Sequence, residues 1–118
     1  MAQPPLKQGT IAKAFIVPLR GKAKHRYGVV FTPDNELATS SNVGLVGIST
    51  SCYADDPDRI PLPWSEDGRV MTGLREPCEI VLGMTNIIRK AKVVATWGHV
   101  PREVLADMLN GLKRKGTI

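Results

Sequence analysis

Cysteine is scarce in this chain. Cys52 and Cys78 stand alone, with no C-x-x-C pair. That rules out a disulfide scaffold. It also argues against a zinc site built from them with His25 and His99, because structural zinc ligands come as closely spaced pairs. Aromatic residues are few as well: Phe15, Tyr27, Phe31, Tyr53, Trp64 and Trp97. No apolar run approaches the roughly 18 residues that a spanning helix needs. The opening Met1-Ala2-Gln3-Pro4-Pro5 lacks the apolar core of a secretory leader, so the expected location is cytoplasmic, with no membrane role. There is no G-x-S-x-G elbow, and neither histidine has an evident aspartate partner, which excludes a Ser-His-Asp hydrolase pattern. Gly44 and Gly47 are too sparse for a phosphate-cradling Walker loop.

Positive charge is what the chain does have. Its 118 residues carry a formal net charge of +5. That balance favours polyanions or acidic proteins as partners. The charges are grouped: Arg20, Lys22, Lys24, His25 and Arg26 crowd one segment, Arg89, Lys90 and Lys92 a second, and Lys113, Arg114 and Lys115 a third. The third falls at the end of a predicted helix, where cations complement the helix dipole in any case. The acids Asp55, Asp56 and Asp58 occupy a separate loop.

The length is that of one domain, 1–118, with 1–7 as a loose tail. Strands are expected at Thr10 to Val17, Gly28 to Phe31, Leu45 to Ser49, Arg59 to Leu62, Glu79 to Leu82 and Val93 to Thr96. Thr32 to Asn35 and Glu66 to Gly68 read as turns. Pro61 and Pro63 mark the fourth strand as an edge. Pro101 suits a first helical position, and Val104, Leu105, Met108, Leu109 and Leu112 then fall on one face, with Gly116 as the stop. Short strands followed by one helix predict a mostly β fold, a small bent antiparallel sheet or barrel with a C-terminal helix docked on it.

Two polar segments can carry chemistry. His25-Arg26 ends the basic loop at the mouth of a strand, and an arginine fork matches phosphate oxygens two at a time. Ser49-Thr50-Ser51 sets three hydroxyls at a strand end, where they can bond a phosphate or ribose, or else close local backbone groups. Tyr27 and Tyr53 flank these segments, and either ring can stack a base.

In their order, the segments Gly9-Thr10-Ile11, Arg26-Tyr27-Gly28-Val29-Val30, Ile48-Ser49-Thr50 and Gly98-His99-Val100 with Glu103 resemble the MazF/PemK family of toxin ribonucleases. The similarity spans about Gln8 to Leu112. It implies an SH3-like barrel with a C-terminal helix, a two-fold homodimer and an acidic antitoxin as protein partner. It also implies cleavage of single-stranded RNA with no metal or other cofactor, the ribose 2′-OH attacking its own phosphate to leave a 2′,3′-cyclic phosphate. By position, Arg26 and Ser49 or Thr50 would be catalytic and His25 would move a proton. Arg20, Lys22, Lys24, Tyr27, Ser51 and Tyr53 would hold RNA.

The chain departs from that pattern at three places. The segment Arg20 to Lys24 contains no acid, Tyr27 replaces a proline, and Leu82-Gly83 stands where some members carry an aspartate. Glu79 is the nearest acid, and three residues of separation put it on the opposite strand face from Leu82. These departures keep open a non-catalytic module of the same fold that binds RNA or protein, and an unrelated small β domain of a larger assembly.

Overall fold

The computed structural model describes residues 5–16, 22, 24–53 and 55–118. Among these residues six strands and two α-helices succeed one another: β1 (Thr10–Ile16), β2 (Lys24–Val30), α1 (Asp34–Leu37), β3 (Asn42–Ser49), β4 (Arg59–Leu62), β5 (Cys78–Arg89), β6 (Val93–His99) and α2 (Arg102–Arg114). The strands form one antiparallel sheet in the order β4-β5-β3-β2-β1-β6. Mostly β with a terminal helix is therefore correct. Closure into a barrel is not what is found. β4 and β6 remain the two edges, and no ladder joins them among the described residues. β4 has only four residues, one of them Pro61, and α2 packs over β4 and β5 instead.

Strand alternation sends the apolar residues to two cores. On the helix face, Ile11, Val29, Val46, Ile48, Ile80 and Leu82 pack with Met108 and Leu112 of α2. On the opposite, open face, Ala12, Ala14, Val30, Leu45, Val43 and Val93 pack with Leu37 of α1. Leu6 is tucked against this second core, so the end of the expected tail is held.

The helix begins one residue later than expected, with Pro101 as its cap rather than its first turn. It stops at Gly116, whose φ of 76° lets the Thr117 N–H reach the Leu112 carbonyl at 2.9 Å. Other elements also differ from the sequence expectation, β3 starting at Asn42 and β6 running on to His99. The turn at Thr32 to Asn35 leads into the single turn of α1. β2 starts at Lys24 rather than Gly28 because β1 pairs with its polar half, Ile16↔Lys24 through Lys13↔Tyr27. β5 runs seven residues past Leu82 because β3 supplies partners as far as Asn42↔Arg89. No helix of the described residues is long and apolar enough to cross a membrane.

Candidate functional site: one strand pair with a polar and an aromatic face

Arg26 and Ser49 come together through the β2–β3 ladder. The ladder pairs Gly28 with Gly47, and two residues further along each strand stand Arg26 and Ser49, both on the open face. Ser49 is in turn directly opposite Glu79 on β5, and Glu79 is opposite Pro61 on β4. Arg26, Ser49 and Glu79 thus form a row across three neighbouring strands, which lie about 4.8 Å apart. Glu79 and Leu82 do occupy opposite faces, Leu82 belonging to the core under α2. The face away from Leu82 is the one that carries Ser49, a consequence that the sequence alone did not reveal.

The Arg26 side chain is half-buried, and its Nε is shielded from solvent with no hydrogen-bond partner among the described residues. A shielded guanidinium nitrogen without an acceptor is costly unless a ligand supplies one. The Ser49 Oγ accepts the Ser51 N–H at 3.1 Å, which leaves its own O–H free to donate.

Glu79 is 5 % exposed, and its carboxylate is already engaged. It accepts the Tyr53 N–H at 2.8 Å and lies 3.5 Å from Arg59 Nη1. Arg59 also donates to the Ser51 carbonyl at 2.5 Å, pairs with Asp56 at 3.5 Å and sits 4.5 Å from the Tyr53 ring centre. Glu79 and Arg59 together pin the segment from Ser51 to Asp56, just beyond the hydroxyls. From sequence Glu79 was marked only as the acid nearest to Leu82, and Arg59 was given no role. The usable signal was an acid in an apolar strand, since a buried carboxylate needs partners.

The other named residues divide by strand alternation. His25 neighbours Arg26 in sequence and therefore points to the opposite face, where its ring meets Phe15 edge-on at 5.5 Å. Lys22 and Lys24 are exposed, and Arg20 lies outside the described residues. Tyr53 is 59 % exposed, its ring packed on the Arg59 guanidinium. Thr50 and Tyr27 line a separate hollow of about 300 Å³ on the helix face, with Trp97, Arg75 and Glu76. Trp97 is 46 % exposed and meets Tyr27 edge-on at 4.9 Å. A larger hollow of about 720 Å³ lies between β3 and the end of α2, lined by Phe31, Val43 and Leu109, and contains none of the candidate residues. No group of three or more metal-ligating side chains occurs among the described residues.

Neither protein-family models nor curated proteins match the sequence. Solved structures do match the fold. MazF from Deinococcus radiodurans superposes with a TM-score of 0.74 over 100% of both chains, at 13% identity. The chain has the MazF fold. The Mycobacterium tuberculosis toxin MazF-mt6 matches at 0.72 and 16% identity, over 92% of this chain and 97% of that one. A mycobacterial endoribonuclease solved with its cognate antitoxin matches at 0.70 and 12% identity, over 98% and 97%. Arg26, Ser49 and Glu79 therefore sit on a MazF-like sheet.

Proposed function

We propose that this protein is a single-domain endoribonuclease of the toxin–antitoxin type, acting on single-stranded RNA. The observation that carries the reading is an Arg26 Nε with no partner among the described residues, on the same face of a MazF-like sheet as the Ser49 hydroxyl. In the reaction, O2′ bonds to the adjacent phosphorus and the P–O5′ bond breaks. The 5′-oxygen leaves as a hydroxyl after taking a proton, and a 2′,3′-cyclic phosphate remains. The difficult part is the negative charge that accumulates on the phosphoryl oxygens. Arginine keeps its charge at working pH and offers paired donors, so Arg26 stabilises that charge. Ser49 donates to the same oxygens, and Thr50, on the opposite face at the strand end, is left to a neighbouring ribose or base. Positioned donors of this kind supply most of the gain in an in-line displacement. Histidine exchanges protons near neutrality, but the His25 ring lies on the opposite face against Phe15, so the O2′ proton passes to water and the 5′-oxygen takes its proton from water. Lys22, Lys24 and Arg20 hold the RNA backbone, while Ser51 and Tyr53 line its path.

The same basic rim suits an acidic antitoxin, and the family pattern adds a homodimer and a cytoplasmic setting. The test is incubation of the purified protein with a long mixed-sequence RNA in EDTA, beside Arg26→Ala. Discrete cuts ending in cyclic phosphate, lost in the variant, are expected. Equal cutting by Arg26→Ala would sink the mechanism.

One observation favours a second reading. The carboxylate of this row, Glu79, is committed to Tyr53 and Arg59, so it is not available as a base. A module that binds RNA without cutting it would need only the donors. It would show salt-sensitive binding and intact RNA under the same conditions.

A further inference from the structure

The hollow behind the candidate site has features that the cleavage chemistry does not use. Tyr27 and Trp97 meet at 88°, so their rings make a right-angled corner. Ile48 forms part of its apolar floor, and Thr50 forms the end nearest the hydroxyl segment. Arg75 and Glu76, both exposed, stand at the rim. Arg75 is tethered by its Nε to the Glu66 carbonyl at 3.2 Å, which leaves its terminal amines free to donate.

The wall carrying these two charges is built in place. Thr72 is fully buried, donates to the Pro63 carbonyl at 2.7 Å and accepts the Leu74 N–H at 3.2 Å. The Met71 carbonyl accepts the His99 N–H at 3.1 Å, an approach possible only because Gly98 has no side chain; a methyl there would run into that carbonyl. Gly73 then lies against the Trp97 ring.

We propose that this hollow receives a single unstacked base of the RNA, next to the cleaved phosphate, and that it prefers guanine. The inference rests on the ribonuclease reading. An aromatic corner stacks a planar ring from one side and bounds it from the other, a sequence-tolerant attraction. The choice among bases comes from the rim. A carboxylate accepts two neighbouring N–H donors, and guanine presents N1–H and N2–H side by side. Its O6 and N7 are the acceptors that arginine reads as a pair. Adenine, cytosine and uracil each offer the carboxylate one donor group on that edge. Thr50 ends the hollow where the β2–β3 ladder has already stopped at Gly28↔Gly47, so an RNA strand passing these strand ends can lodge one base on the helix face and set the adjoining phosphate on the open face with Ser49 and Arg26.

The test uses 2′-deoxy pentanucleotides, which cannot be cut, with guanine, adenine, cytosine or uracil at the centre. Their affinities for the full chain are measured by titration, with quenching of tryptophan fluorescence as a second readout. The guanine oligonucleotide is expected to bind about tenfold tighter than the others. Trp97→Ala should weaken all four by about tenfold or more, Trp97→Phe should restore most of that, and Glu76→Gln should erase the preference alone. Melting curves of each variant separate lost stacking from lost folding. Equal binding of the four by wild type, or a folded Trp97→Ala that binds as wild type does, overturns the inference. So does cutting of long RNA with no pentanucleotide binding. In these cases cleavage of long RNA by wild type leaves the ribonuclease reading standing, whereas uncut long RNA would remove both.

Discussion

The two faces of the β2–β3 pair are organised by different forces. On the open face, the segment after Ser49 is held by charge: Glu79, Arg59 and Asp56 bind its backbone and one another. On the helix face, the wall of the aromatic hollow is held by close packing and by neutral hydrogen bonds from buried Thr72. Charged clusters tolerate a half-hydrated, polyanion-binding surface, since their members can trade partners with a ligand. Packed walls fix shape and are insensitive to salt. A site that must both stabilise charge and read a shape gains from having one of each.

The largest expected effect separates the faces at once. Arg26→Ala should lower RNA cleavage by ~10²–10³-fold, the usual loss for one donor aimed at developing charge. The melting temperature should hardly move, because the Arg26 Nε has no partner among the described residues to lose. Quantified cleavage of a single-site RNA beside a thermal melt checks both halves. A cleavage loss accompanied by a large fall in melting temperature would place Arg26 in the scaffold instead.

Thr72→Val should do the reverse. It removes a buried hydroxyl that closes two backbone groups, at a cost of about 1–3 kcal/mol in stability. Salt should not change that cost, and denaturant titrations at low and high ionic strength measure it.

Glu79→Gln comes next. The glutamine oxygen can still accept the Tyr53 N–H, but the charge facing Arg59 is gone. Cleavage is expected to fall by about tenfold through looser positioning of the hydroxyls, with RNA affinity unchanged or slightly higher. Glu79→Ala should cost more, because it also strands the Tyr53 amide. Equal, wild-type cleavage by both variants would show that the charged cluster does not position Ser49.

Much of this was legible in the sequence, and the limits have physical causes. β1, β4 and α2 emerge from apolar spacing, proline placement and capping. Arg26 and Ser49 stood out because an arginine and a hydroxyl at strand ends are chemically suited to phosphate. Glu79 and Arg59 did not, because their roles arise from a ladder register, Ser49↔Glu79, between segments thirty residues apart. Register also separated His25 from Arg26 and Thr50 from Ser49, neighbours in sequence that alternation sends apart. The choice between an open sheet and a barrel could not be made either, since closure depends on whether the first and last strands in the sheet order meet.

The smallest expected effect contrasts the two thiols. Cys52 is exposed beside the hydroxyl segment, whereas Cys78 is buried in the core under α2. Burial first, and then the charge of Glu76, push the Cys78 thiol up to about 11. Iodoacetamide near pH 8 should therefore alkylate Cys52 and spare Cys78 in the folded protein, as peptide mass spectrometry would record. Because the folded protein holds the Cys78 proton more tightly than the unfolded chain does, this thiol supports folding below its unfolded range. That support is lost as pH rises toward 11. Alkylation of Cys78 at the rate of Cys52 would mean that the wall beside it opens.

Pro61 sits at the outer strand β4, opposite Glu79. A proline there offers no amide hydrogen to an incoming strand, so the sheet cannot extend from that side with a full ladder. The other border, β6, has no such block. Two molecules meeting along β6 would leave a proline-bearing strand at each end of the shared sheet. Pairing by that route terminates itself at two copies and does not grow into a fibre.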